Sequence, residues 1–119
     1  MTSPFSRTHA LNDGPSVHLR LARRGDLNLL LALLARRGVE ASALEVLRLL
    51  SFDPALRAVL CAFAPLDGRE TLVGLGAIDL HPGAELDTLV VDERLSGGLG
   101  DLLGDTLRRR SEGRSTHVA

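Results

Sequence analysis

The chain has 119 residues, 45% of them apolar and 24% charged, which is the make-up of one water-soluble domain with a single core. Its formal net charge of −1 gives no field to attract nucleic acid or an anionic membrane. All 14 basic residues are Arg, and with no Tyr, Trp or Lys present, neither a phenol nor an amine is available for catalysis.

Cys61 stands alone, so no internal disulfide forms, and no apolar run reaches the roughly 18–20 residues of a membrane span. The N-terminus lacks a signal-peptide core. A cytoplasmic location is the expectation. His18, His81 and Cys61 lack ligand spacing, so no metal is expected.

Residues 1–16 mix Ser, Pro, Asn, Asp and Gly without periodicity and read as a flexible arm, leaving 17–119 as one domain. Val17, Leu19 and Leu21 then alternate with His18 and Arg20, the period of a half-buried strand. Asp26 suits the N-cap of a helix carrying Leu27, Leu30, Leu31 and Leu34, which Gly38 ends. Ser42 and Glu45 have capping-box spacing, opening a second helix that turns Leu44, Leu47 and Leu50 to the core. Asp53-Pro54 stops it.

Three strands joined by short turns follow. Arg57 to Ala64 places Val59, Cys61 and Phe63 on one face. After the turn Pro65-Leu66-Asp67-Gly68, the chain returns as Thr71 to Leu80. Gly74 and Gly76 within that strand imply a bulge or a close backbone approach. His81-Pro82-Gly83 turns again, and Glu85 to Val91 reads as the next strand. A last helix runs from Leu99 to Arg110, with Leu99, Leu102, Leu103 and Leu107 on one face. Ser111 to Ser115 has loop composition, and Thr116 to Ala119 reads as the start of a further strand. The fold class is therefore α+β, a mainly antiparallel sheet in the order strand, helix, helix, three strands, helix. The pairs Arg23-Arg24 and Arg36-Arg37 read as solvated faces, and Arg108 to Arg110 as cations complementing a helix C-terminus.

The chemistry concentrates between residues 85 and 101. Ser96, Gly97, Gly98 and Gly100 join a strand to a helix whose first amides are unpaired and carry the positive end of its dipole. Uncovered backbone amides at such a place suit a phosphate or pyrophosphate. Asp101, in the first turn, reads simply as an acid stabilised by that dipole. Glu85 and Asp87 share one strand face, either as proton acceptors or as a solvated surface.

This layout resembles the GNAT superfamily of N-acetyltransferases. The family's loop reads Gln/Arg-x-x-Gly-x-Gly/Ala, and Leu95-Ser96-Gly97-Gly98-Leu99-Gly100 matches it with Leu95 at the first position. Leu89-Val90-Val91-Asp92 is similar to the strand end that precedes it. The resemblance implies a GNAT-like domain that stops at the start of its next strand. It implies acetyl-CoA as co-substrate and acetyl transfer to an unidentified amine, on a small molecule or a peptide. Main-chain groups of Leu89, Val90 and Val91 would hold the pantetheine arm. Amides from Ser96 through Gly97, Gly98, Leu99 and Gly100 to Asp101 would hold the pyrophosphate, and Glu85 or Asp87 would serve as general base. The alternative is a non-catalytic acyl-CoA-sensing or protein-interaction domain, forming a homodimer to complete its sheet.

Overall fold

The structure, a computed structural model, describes residues 7–10, 16–95 and 97–116. Five strands form one antiparallel sheet in chain order: β1 (Arg7–Ala10), β2 (Ser16–Leu21), β3 (Arg57–Leu66), β4 (Arg69–Asp79) and β5 (Thr88–Val91). β1 falls within the stretch read as a flexible arm. It pairs residue by residue with β2, Arg7 opposite Leu19 and Ala10 opposite Ser16, and so covers an edge that β2 would otherwise expose.

Helices α1 (Leu27–Arg36) and α2 (Ala43–Leu50) cover one face of the sheet. Helix α3 (Leu99–Thr116) covers the other. The alternation of β3 divides its side chains between the two layers. Val59, Cys61 and Phe63 meet Leu30, Leu33 and Leu50, while Ala58, Leu60 and Ala62 lie in the cluster with Leu99, Leu103 and Leu107. Cys61 is fully buried, which pushes its thiol up to about 12 and leaves it a core residue.

Ser42 caps α2 as its sequence requires. Its hydroxyl accepts from the Glu45 amide at 3.1 Å, and the Glu45 carboxylate accepts from the Ser42 amide at 3.3 Å. The buried face of α2 differs from the expected one. Val46 and Leu50 are buried, whereas Leu44 is 58% exposed. Asp26 stands at the N-cap of α1, yet its carboxylate turns away from that helix. It takes two bonds from the Arg20 guanidinium, at 2.9 and 2.7 Å, and one from the Arg23 amide at 2.8 Å. Burial works to raise the Asp26 pKa; these three donors outweigh it and hold the carboxyl below its ordinary value.

Both readings of the β4 glycines hold. The register of β3 on β4 shifts after Ala62, which pairs with Gly74 while Phe63 pairs with Leu72, so Val73 is the extra residue of a bulge. A side chain at either glycine would run into α3. A Cβ on Gly76 would lie 2.8 Å from Leu107 Cδ1, and one on Gly74 would lie 3.0 Å from Leu103 Cδ1. The sheet thus carries a trough into which Leu99, Leu103 and Leu107 settle, each with no exposed surface.

Several boundaries differ from expectation: β3 continues to Leu66 and β4 begins at Arg69, and larger differences fall at β5 and α3. β5 begins at Thr88, so Glu85 and Asp87 precede the strand. Just before the strand, Arg57 binds Asp79 at 2.9 Å and Asp87 at 2.6 Å, and the Asp87 amide donates to the Ala77 carbonyl at 3.1 Å, tying the approach of β5 to the end of β4. Helix α3 continues through Thr116, past Ser111 to Ser115, which had read as loop. Ser111 is 2% exposed, and its hydroxyl donates to the His81 carbonyl at 2.7 Å, holding this part of the helix against the β4–β5 connection. Thr116 is therefore helical, and residues 117–119 of the expected further strand lie outside the described residues. No helix among the described residues is long and apolar enough to cross a membrane.

Candidate functional site

The sheet leads to one strand end. Among the described residues β5 is an edge of the sheet, paired only with β4. The Asp92 amide donates to the Val73 carbonyl at 2.8 Å, so residue 92 points its backbone inward. By the alternation of an antiparallel ladder, the amides and carbonyls of Leu89 and Val91 then point outward, and Val90 points inward. An outward row of this kind can pair with an extended ligand.

Past Asp92 the chain makes a short 3-10 turn, Glu93–Leu95, before α3 begins. Leu95 is 5% exposed and packs into the core cluster with Leu99 and Leu103, anchoring the loop from beneath. Its outer surface is open. A Cβ built on Gly97 or on Gly98 would meet nothing within 4 Å. Gly98 has φ +104°, a conformation that L side chains rarely adopt. Gly97 carries no such constraint, so the fold itself gives no reason for glycine there. A Cβ on Gly100 would lie 3.7 Å from Leu89 and 3.8 Å from Val91. The first turn of α3 therefore sits directly against the β5 edge.

The structure brings Leu89, Val90, Val91, Gly97, Gly98, Leu99, Gly100 and Asp101 into one strand–turn–helix unit. Ser96, read with them, lies outside the described residues. Leu99 contributes only backbone, because its side chain is wholly in the core. Asp101 is exposed in the first helical turn. A pyrophosphate fits this place chemically, since it needs uncovered amides and room for close approach. Both are present.

The two carboxylates read as bases are separated by circumstance. Asp87 takes two bonds from Arg57 and one from the Thr88 hydroxyl at 2.8 Å. The Arg57 guanidinium holds its carboxyl below the ordinary value, the opposite of what a proton acceptor near neutral pH requires. Glu85 is exposed in the connection that precedes β5. Among the described residues no group of three or more His, Cys, Asp and Glu could hold a metal ion.

Sequence reasoning missed Asp92 and the Arg residues around it. Asp92 is 4% exposed. Arg94 binds it twice, at 3.1 and 2.9 Å, and adds its amide at 3.0 Å. From α1, Arg36 Nε donates to the same carboxylate at 3.2 Å, while its Nη2 donates to the Leu72 carbonyl at 2.8 Å. Arg94 foremost, helped by Arg36, holds the Asp92 carboxyl down to about 2. Arg36 is exposed to solvent, as its sequence suggested, yet its guanidinium is tied to the buried Asp92 carboxylate and to the Leu72 carbonyl. Arg37 reaches Glu93 at 2.6 Å, but Glu93 is largely exposed and that pair adds little. Beyond Arg37 an open cleft is lined by Leu31, Leu34, Gly38, Val39 and Glu40.

No protein-family model matches the sequence, and a search of curated proteins returns no match. Solved structures do resemble it. The GNAT domain of S. lividans PAT superposes with a TM-score of 0.76 at 16% identity, covering 97% of this chain and 76% of that one. A ribosomal-protein-alanine N-acetyltransferase from Brucella melitensis biovar Abortus 2308 gives 0.60 at 24% identity, over 82% of this chain and 73% of that one. A Trypanosoma brucei acetyltransferase gives 0.63 at 22%, over 83% and 77%. These neighbours are acetyltransferase domains of one architecture, and the fold of this chain is the GNAT fold.

Proposed function

We propose that this chain binds acetyl-CoA along β5 and the Gly97–Gly100 loop and transfers the acetyl group to an amine. One observation carries the reading: an outward-facing strand edge runs straight into a glycine loop that is open on its outer side. The pantetheine arm would pair with Leu89 and Val91 as an added strand, and the pyrophosphate would accept from the amides that begin α3. Acetyl-CoA supplies an activated thioester carbonyl. The protein's part is to orient that carbonyl and to take a proton from the incoming amine. With Asp87 committed to Arg57, Glu85 is the carboxylate proposed for that proton, directly or through water. The acceptor would approach from the α1 side, where the cleft beside Val39 opens. Pantetheine and a second copy of the chain would compete for the same β5 edge; the ligand is the occupant proposed here.

A second reading, binding without transfer, is favoured by the engagement of Asp87. Thermal melting with acetyl-CoA, followed by thiol release against a panel of amines, separates the two. Ligand at 100 times its dissociation constant adds about 2.7 kcal/mol of stability. The expected result is a raised Tm together with thiol release, and a Glu85→Gln chain that keeps the first and loses the second. A raised Tm without release from any amine would leave the sensing role. No rise at millimolar acetyl-CoA would overturn both.

A further inference from the structure

We propose that Asp92 is a positioning residue for the glycine loop, the centre of a strut that runs from α1 through Arg36 and Arg94 to the start of α3. The inference rests on reading that loop as a phosphate site. Its support is geometric. Asp92 follows the last residue of β5, its amide is fixed to the Val73 carbonyl, and its carboxylate accepts the Arg94 amide and both Arg side chains. These bonds set the direction in which the chain leaves the strand. Leu95, whose amide donates to the Asp92 carbonyl at 3.0 Å, completes the turn by burying its side chain.

The far end of the strut is equally fixed. Arg36 belongs to the last turn of α1 and also holds the Leu72 carbonyl. Leu72 and Val73 are the residues of the β4 bulge, so one irregularity offers carbonyls to both Arg36 and the Asp92 amide. The entry to the loop is therefore held against α1 and β4 together. Arg94 also approaches Asp67, on the β3–β4 turn, at 3.7 Å, but that carboxylate is almost fully exposed.

The test uses Asp92→Asn and Arg36→Met, which change the local charge in opposite directions. Binding of CoA and of pantetheine, which lacks the pyrophosphate, is measured for both variants beside the unaltered chain, with amide hydrogen exchange of Gly97–Leu99 as an independent readout. Positioning requires both variants to weaken CoA, each by about tenfold, with pantetheine unchanged and exchange faster at those amides. A pure charge effect would tighten CoA for Asp92→Asn and weaken it for Arg36→Met, and that pattern overturns the proposal. Unchanged CoA binding with unchanged exchange overturns it too. If the unaltered chain binds no CoA, the phosphate-site reading fails by itself, and exchange alone then decides whether the strut orders the loop. Arg36 is partly exposed, so its variant still gives an answer should Asp92→Asn fail to fold.

Discussion

Leu107→Ala is expected to cost about 2–5 kcal/mol of folding free energy, a large share of the roughly 5–15 kcal/mol that holds a domain of this kind. The reason lies in the trough above Gly74 and Gly76. Leu107 has no exposed surface and fills the space above the bare backbone of Gly76, so its truncation opens a cavity there. Leu44→Ala provides the contrast. Both positions are leucines on amphipathic helices, and the sequence assigned both to the core. Leu44 is 58% exposed, so its truncation is expected to stay within about 0.5 kcal/mol. Urea melts with an unchanged slope would measure both. Equal costs at the two positions would mean that the packing of α3 on the sheet is described wrongly.

The larger functional effect is expected at Gly97. A methyl group there meets no protein atom and needs no unusual φ, so Gly97→Ala should leave the Tm within a degree or two of the unaltered chain, about the scale of a neutral surface change. If a pyrophosphate rests on that backbone, the same methyl stands between ligand and amides. Acetyl-CoA should then bind more weakly by about tenfold or more, the loss of one charge-assisted hydrogen bond or worse. Gly98→Ala is expected to behave differently, losing about 1–3 kcal/mol of stability along with affinity, because its φ of +104° is strained for alanine. Calorimetric titration of the two variants reads the difference. Should Gly97→Ala bind acetyl-CoA as tightly as the unaltered chain, the loop does not touch the phosphates.

Much of the fold was legible because local rules decide it. The Ser42–Glu45 capping box, the Asp67-Gly68 turn and the two-faced pattern of Val59, Cys61 and Phe63 each depend on residues close in the chain. The glycine pair of β4 was legible too, since a glycine in a strand must be explained by a bulge or by a neighbour pressed close, and here both operate. What failed depended on distant partners. The composition of Ser111 to Ser115 spoke for a loop, but α3 continues there, its buried Ser111 bonded to the carbonyl of His81. The alternation of Glu85 and Asp87 spoke for a strand, but β5 begins at Thr88, and Arg57, thirty residues earlier, engages the Asp87 carboxylate. Leu44, Leu47 and Leu50 suggested one helical face, and the choice of Val46 and Leu50 instead is made by what α2 packs against.

The candidate site divides in the same way. Its backbone part, the strand edge and the glycines, could be read because the requirement for uncovered amides is written in residue type. Its side-chain part could not. Asp92 and Arg36 lie 56 residues apart and meet only because the β4 bulge and α1 bring them together. Nothing in the periodicity around Asp92 marks it as buried.

The central claim is that acetyl-CoA lies along β5 and over the start of α3. Amide chemical-shift mapping of the whole chain during an acetyl-CoA titration tests it most directly. The largest changes are expected at Leu89 to Val91 and from Gly97 to Asp101, with smaller ones at Asp92 and Arg94. Changes confined to the cleft of Leu31, Leu34 and Val39, with the glycine loop unmoved, would contradict it.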